Sequence, residues 1–209
     1  YLDALDPSTK STLQRNIIRL EEYSKSQLQD ILNERVNLAF RQGTVSAQTM
    51  NLIAELAYSE GGNARYAIEL LWRAGKYADA SEMGEVSPEC VRKASVSVYP
   101  VVRKDMISSL SLHEKLFLLG VARHFKQTDM AYMSMGEAEE AYAIVCEEYG
   151  EKRRGHTQLW KYVKELSASG VIETKVSGEG QRGKTTFISL PRVPASDLEQ
   201  ELSRTLMHG

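Results

Sequence analysis

Basic side chains gather in the last quarter of the chain, where they could bind phosphate groups. Between Glu151 and Arg192 there are nine Lys and Arg against four Asp and Glu, a net charge of +5 within a chain whose net charge is −2. A compact basic module on an acidic body is typical of a surface that contacts nucleic acid. The residues of this module that we expect to contact DNA are Arg153, Arg154, Thr157, Gln158, Lys161, Lys164, Arg182 and Lys184.

The order of elements in this module predicts a winged helix. His156–Gly170 has the composition of a helix and Val171–Val176 that of a strand. Ser177–Gly183 then predicts a turn, and Lys184–Leu190 a returning strand.

The predicted helix has an apolar face and a polar face. Leu159, Val163 and Leu166 repeat at helical spacing and would be buried. The opposite face suits a recognition helix in the major groove, although a solvated face of a winged helix that binds only protein is the alternative. This outward face carries Thr157, Lys161, Lys164 and Ala168, with Gln158 and Trp160 on its flanks.

A glycine string in the predicted turn needs its own interpretation. Gly178-x-Gly180-x-x-Gly183 in isolation suggests a dinucleotide site, which requires a strand before the glycines and a helix after them. The residues that follow, Thr185–Ile188, are β-branched and aromatic, which is typical of a strand. We therefore reject the dinucleotide interpretation and predict a hairpin with Arg182 and Lys184 near its tip.

Composition excludes several classes of protein. At 209 residues, 42% hydrophobic and 26% charged, the chain is typical of one large or two modest globular domains. No apolar run approaches the ~20 residues of a membrane span, so we expect no membrane partner. Cys90 and Cys146 lack neighbouring ligands and the four His lack metal-ligand spacing. We expect reduced core thiols and no metal site, and we find no nucleophile motif.

The first half of the chain predicts helices. Ser24-x-x-Gln27, Ser111-x-x-Glu114 and Ser134-x-x-Glu137 have the form of capping boxes, and Ser87-Pro88 that of a helix start. Lys76–Val86 is polar and contains glycine, so we predict a connection there.

Two arginines lie where helices rarely carry a cation. Helical geometry places Arg35 between Ile31 and Leu32 in an apolar stripe, and Arg65 lies in the first turn of its helix, where the macrodipole favours acids. Each is either an ordinary surface or salt-bridged arginine or a cation held for an anionic ligand.

In these features the chain resembles one family, the archaeal initiators of the origin-recognition/cell-division-control (ORC/CDC) family, which are AAA+ ATPases. The chain is similar to their C-terminal portion. Four segments carry the resemblance. In chain order they resemble the end of the ATPase base, the start of the lid, the sensor-2 helix and the wing. They are Leu2–Ser11; Tyr23 with Gln27-Leu28, Ile31-Leu32 and Arg35; Gly62-Asn63-Ala64-Arg65 with Ala67–Leu71; and Gly178-x-Gly180-x-x-Gly183-Lys184-Thr185.

The resemblance implies a mainly α fold in three parts. Residues 1–21 would end the ATPase base, 22–103 would form the helical AAA+ lid, and 104–209 would form a winged-helix domain with a two-stranded wing. The boundary between lid and winged helix is expected between Tyr99 and Ser109.

The resemblance also implies nucleotide-binding residues. Tyr23 and Arg35 would line the adenine nucleotide pocket, and Arg65 would be the sensor-2 arginine that reaches the phosphates. Family members often have Arg where this chain has Ser8, so we carry over no arginine finger. They also often have Arg at the start of the recognition helix, so we carry over no DNA sequence preference.

We expect this chain to contain no G-x-x-x-x-G-K-[ST] phosphate loop (Walker A) and no acidic Mg²⁺-binding strand (Walker B). We therefore expect that it does not hydrolyse ATP by itself. ATP or ADP with Mg²⁺ is implied for the full-length protein, and no cofactor for this chain alone.

The implied function is initiation of DNA replication. Its partners would be double-stranded origin DNA, the replicative helicase and other initiator copies, in the archaeal cytoplasm at the nucleoid. A winged-helix transcriptional regulator with a helical dimerisation domain is the alternative, and it predicts a two-fold dimer and pseudopalindromic half-sites. A protein-interaction scaffold is a third possibility and predicts no salt-dependent DNA binding.

Overall fold

A computed structural model describes residues 6, 8–9, 21–96, 104–128, 130–176 and 185–207. These ranges are mostly helical, which confirms the predicted fold class. In the first half the helices are α1 (Lys25–Ala39), α2 (Ala47–Ser59), α3 (Ala64–Ala80) and α4 (Pro88–Val96). In the second half the elements are α5 (Lys104–Ser109), α6 (Leu112–Gln127), β1 (Met133–Ser134), α7 (Met135–Glu148), α8 (His156–Ala168), β2 (Glu173–Val176), β3 (Thr186–Ser189) and α9 (Ala195–Met207).

Serine caps begin α1, α6 and α7, as the sequence predicted. Ser24, Ser111 and Ser134 each accept a hydrogen bond from the backbone N–H three residues later. The Gln or Glu at that third position accepts a bond from the serine N–H in return. These reciprocal bonds satisfy amides that the helix itself leaves without acceptors.

Helix α3 is longer than the sequence predicted. The expected connection over Lys76–Val86 is wrong in its first part, because α3 continues to Ala80 and buries Ala78. Gly75, just before the predicted connection, is a close-packing position within the helix. A Cβ at Gly75 would lie 2.8 Å from a ring carbon of Phe40.

The first half has its own hydrophobic core. Helices α1 to α4 each contribute buried side chains, and Val45 and Val86 from two loops join them. Ala131, from the second half of the chain, is also part of this core, so the two halves are packed against each other.

The second half has a separate core beside a three-stranded antiparallel sheet of order β1-β3-β2. Ile188 of β3 lies opposite Met133 on one side and Thr174 on the other. Strand β2 begins two residues later than predicted, because Val171 and Ile172 are buried in the core rather than paired in the sheet. The sequence did not predict β1 or α9.

The two halves are joined by Arg92 of α4, which is 1% exposed. Its guanidinium donates to the carbonyl oxygens of Leu190 at 2.8 Å and Met130 at 3.0 Å. It also pairs with Glu89 at 3.2 Å and lies 4.7 Å from the centre of the Phe125 ring. Because a buried charge is costly unless it is paired, these contacts fix α4 to the second half.

Glu89 extends this junction to α9. One of its carboxylate oxygens accepts from the Ala195 N–H at 3.1 Å, and the other accepts from the Ser196 N–H at 3.4 Å and the Ser196 hydroxyl at 3.3 Å. A carboxylate at a helix N-terminus satisfies free amides and is stabilised by the helix dipole. Glu89 therefore caps α9 from across the junction.

A second junction contact centres on Glu55 of α2. Its carboxylate accepts hydrogen bonds from Lys25, from Tyr132 and, at 2.7 Å, from Lys175 of β2. Burial raises the pKa of Glu55, but the bonds from Lys175, Lys25 and Tyr132 together outweigh burial and hold it below its usual value. Burial and the bond to Glu55 raise the pKa of Tyr132 far above its usual value, so its hydroxyl remains a donor.

Candidate nucleic-acid interface and nucleotide-facing edge

Helix α8 has the two faces that the sequence predicted. Leu159, Val163 and Leu166 are buried, and Tyr162 joins them. The predicted outward residues Thr157, Lys161, Lys164 and Ala168 are exposed, and the flanking residues Gln158 and Trp160 are half-buried. The orientation is thus as predicted, while the assignment of these residues to DNA contacts stays a prediction.

The cations on and just before α8 differ from those elsewhere in the same domain. Arg123 and Lys126 of α6 are neutralised, the first by Glu148 and the second by Glu199 at 2.6 Å. In contrast, within the described ranges no ion pair is formed by Lys161, Lys164, Arg153 or Arg154, and all four are exposed. Exposed cations that form no ion pair are available to bind phosphate groups.

The tip of the predicted wing, with Arg182 and Lys184, lies outside the described residues. The strands on either side are described, and Val176 of β2 lies opposite Thr186 of β3. This antiparallel pairing is that of a hairpin.

The segment Gly178–Thr185 also spells G-x-x-x-x-G-K-T, the letters of a phosphate loop. The expectation that this chain contains no such string is therefore wrong. A phosphate loop joins a strand to a helix whose N-terminus binds the phosphates. Here the segment joins two paired strands, so it does not have the context of a phosphate loop.

The backbone of Tyr23 lies against Gly62, which comes three residues before Arg65. Gly62 has a φ of 62°, and a Cβ there would lie 2.5 Å from the carbonyl oxygen of Tyr23 and 2.7 Å from its nitrogen. Only glycine permits this approach. Asn63 then caps α3 by accepting from the Tyr66 N–H at 3.0 Å. The Tyr23 side chain is 46% exposed and Arg65 is exposed, at the edge of the first half where α1 and α3 begin.

Arg35 is not in the apolar stripe of α1, and that sequence interpretation is wrong. Arg35 is exposed, because the buried residues of α1 end at Leu32 and Leu38 is 71% exposed. At 1.5 Å per residue, Arg35 lies roughly 15 Å along the axis from the start of α1. It is therefore separated from Tyr23, which precedes α1, by most of the length of that helix. The segment Leu2–Ser11 lies almost wholly outside the described residues.

Sequence reasoning missed the junction residues Arg92 and Glu55. The spacing of Glu89 and Arg92, three residues apart on a short helix, was the one available signal. Nothing in the spacing connects Glu55 to Tyr132 or Lys175, which are distant in the sequence. Cys90 and Cys146 are free buried thiols, as predicted.

Two family models match the chain. A Cdc6 AAA+ ATPase-type lid domain matches residues 29–96, and a CDC6 C-terminal winged helix domain matches residues 105–200.

Curated relatives give the same result. An ORC1-type DNA replication protein 2 of Sulfolobus acidocaldarius is 36% identical over 98% of this chain and 51% of its own length. The protein of the same name from Sulfurisphaera tokodaii is 37% identical over 94% of this chain and 48% of its own length. The crystal structure of Cdc6p from Pyrobaculum aerophilum is 35% identical with a TM-score of 0.83, covering 99% of this chain and 54% of that one.

The helical lid followed by a winged helix defines the C-terminal portion of an AAA+ protein. The chain belongs to the ORC1/Cdc6 family of DNA replication initiators, which confirms the resemblance seen in the sequence. The chain spans about half the length of the curated relatives it matches. No helix in its described part is long and apolar enough to cross a membrane.

Proposed function

We propose that this chain binds double-stranded origin DNA through α8 and the wing of its winged-helix domain. The observation that carries the proposal is the exposed cationic face of α8, opposite a buried apolar face. An α-helix fits the major groove, where residues of its first turns reach base edges and flanking cations meet phosphates. Thr157 and Gln158 would then face bases, while Arg153, Arg154, Lys161 and Lys164 on or before α8, and Arg182 and Lys184 of the wing, would contact the backbone.

The proposal includes the domain organisation. Residues 1–21 end the ATPase base, 22–103 form the lid, and 104–209 form the winged helix. In the full-length protein this portion would act with other initiator copies at the nucleoid to help load the replicative helicase.

Fluorescence anisotropy with a labelled duplex tests the DNA proposal. About five to eight phosphate contacts should make log affinity fall with log salt at a slope of roughly −4 to −7. An affinity that does not change between low and moderate salt would overturn the proposal and favour a scaffold. A stable two-fold dimer on pseudopalindromic DNA would favour a transcriptional regulator.

Single substitutions locate the contact surface. Lys161→Ala and Arg182→Ala should each weaken duplex binding and reduce the salt slope by about one. Neither should change the free energy of unfolding by more than about 0.5 kcal/mol, the usual limit for surface positions. Lys76→Ala, an exposed lysine of α3, removes the same charge from the first half and should leave duplex binding unchanged.

The lid would contribute to adenine nucleotide binding in the full-length protein. Tyr23 and Arg35 would line the pocket, and Arg65 would reach the phosphates through charge-assisted hydrogen bonds. Both guanidinium groups are exposed and neither forms an ion pair with a described residue, which leaves them available to an anion, although Arg35 lies most of the length of α1 from Tyr23. The phosphate groups of ATP or ADP, bound together with Mg²⁺, would supply the negative charge. This chain alone should show no ATP affinity above non-specific background and no hydrolysis.

A further inference from the structure

The backbone just before α8 is held from inside the domain by a chain of hydrogen bonds. The Arg154 N–H donates to the hydroxyl oxygen of Tyr142 at 3.1 Å, and that oxygen lies 2.9 Å from Nδ1 of His113. Because the Tyr142 oxygen accepts the amide proton, its own hydrogen can be donated to Nδ1. A neutral His113 then carries its proton on Nε2.

We call this chain of hydrogen bonds, from the Arg154 N–H through Tyr142 to His113, the relay. Both of its side chains are buried. Tyr142 on α7 is 1% exposed and His113 on α6 is 7% exposed. Burial, and then the charge of Arg154, lower the pKa of His113 more than Glu151 raises it, so the neutral form is favoured. Burial likewise raises the pKa of Tyr142 above its usual value, so its hydroxyl stays a donor. Removing the partner of a buried polar group lowers the free energy of unfolding of the protein. The bonds of the relay therefore hold its three residues together.

Helix α7 also holds the first residue of α8. His156 is hydrogen bonded through Nδ1 to Glu139, which lies three residues before Tyr142 on α7. The Trp160 indole N–H donates to Nε2 of His156 at 2.9 Å. The N-cap of α8 is Gly155, which offers no side-chain cap. The start of α8 is therefore set by bonds from α7 rather than by its own cap.

We propose that Tyr142 and His113 are positioning residues for DNA binding. They fix the backbone at Arg154, and with it the direction of Arg153, Arg154 and the first turn of α8. The inference rests on the proposed binding of DNA by this surface. Since both residues are buried, they act through the backbone of Arg154 and do not touch DNA.

Two removals and one conservative replacement test the relay. Tyr142→Phe removes the hydroxyl, and His113→Leu removes its acceptor. Each should weaken duplex binding roughly 3- to 10-fold, as expected for one misdirected charged contact. The salt slope should become shallower by about one. His113→Asn keeps an acceptor oxygen near the position of Nδ1 and should retain most of the affinity.

A packing control separates position from general stability. Phe117 packs beside Tyr142, with ring centres 6.1 Å apart, and makes no bond in the relay. Phe117→Leu should lower the free energy of unfolding while duplex affinity per folded molecule stays at the wild-type value. Nuclear magnetic resonance supplies a second readout, because Tyr142→Phe should speed hydrogen exchange at the Arg154 amide and change the tautomer signature of the His113 nitrogens.

The outcomes are distinguishable. If Tyr142→Phe folds, shows the altered Arg154 amide and still binds the duplex as wild type does, the positioning role is wrong. The same follows if His113→Asn binds as weakly as His113→Leu. A wild-type chain without salt-dependent duplex binding would overturn the proposed function and this inference together.

Discussion

Arg92 at the junction and the two lid arginines, Arg35 and Arg65, have opposite environments. Arg92 is almost fully buried and each of its described contacts is with the protein itself. Arg35 and Arg65 are exposed and form no ion pair with any residue in the described ranges. A buried cation persists only where its partners offset the loss of water, whereas an exposed cation remains available to an anion. The contrast assigns Arg92 to holding the two halves together and leaves Arg35 and Arg65 available for a ligand.

The largest expected effect is at Arg92. Arg92→Ala removes the partner of the buried Leu190 carbonyl oxygen and of the part-buried Met130 carbonyl oxygen, and it leaves Glu89 without its cation. Breaking a buried pair in this way usually costs about 3–5 kcal/mol, so the free energy of unfolding in urea should fall by that amount. A loss below about 0.5 kcal/mol, the range of surface substitutions, would show that the junction does not depend on this arginine.

Two glycines allow a similar comparison, between a closely packed position and an open one. Gly62 and Gly43 both have positive φ, but a Cβ at Gly62 would overlap the Tyr23 backbone, while nothing lies within 4 Å of one at Gly43. Gly43→Ala should cost about 1–2 kcal/mol for the left-handed backbone alone. Gly62→Ala adds the overlap, and the total should reach roughly 3 kcal/mol. Equal losses in chemical denaturation would mean that Tyr23 does not depend on the space at Gly62.

The junction contact at Glu55 should depend on pH. Because the folded pKa of Glu55 is lowered, its contribution to stability is present above the unfolded pKa of about 4.3 and is lost as pH falls through the folded pKa. Glu55→Gln should cost about 1–2 kcal/mol at neutral pH, since charged hydrogen bonds become neutral ones. The stability of wild type and variant should converge in acid. A constant difference from neutral to acidic pH would contradict the lowered pKa.

Local features of this fold could be predicted from the sequence, and contacts across the junction could not. The serine caps and the two faces of α8 follow from spacing within a few residues. The length of α3 was misjudged because Lys76–Val86 is polar and contains glycine, yet α3 continues to Ala80 and packs against Phe40, which is distant in sequence. Arg35 was misjudged for the related reason that a helical wheel gives direction but not where the core ends. The partners of Arg92 and Glu55 come from loops and strands far along the chain, where no periodicity connects them.

The smallest expected effect on stability, and the most informative for function, is at Arg65. As an exposed side chain without a described partner, Arg65→Ala should change the free energy of unfolding of this chain by no more than about 0.5 kcal/mol. In a full-length protein the same substitution should impair ATP turnover, because a guanidinium that reaches phosphates supplies strong charge-assisted hydrogen bonds. Arg73→Ala on the same helix is the control, since Arg73 pairs with Glu69 at 2.7 Å. It should leave turnover unchanged. Wild-type turnover in Arg65→Ala would eliminate the sensor role and make Arg65 an ordinary surface arginine, whereas a large loss of stability would place it with Arg92 among the residues that hold the fold.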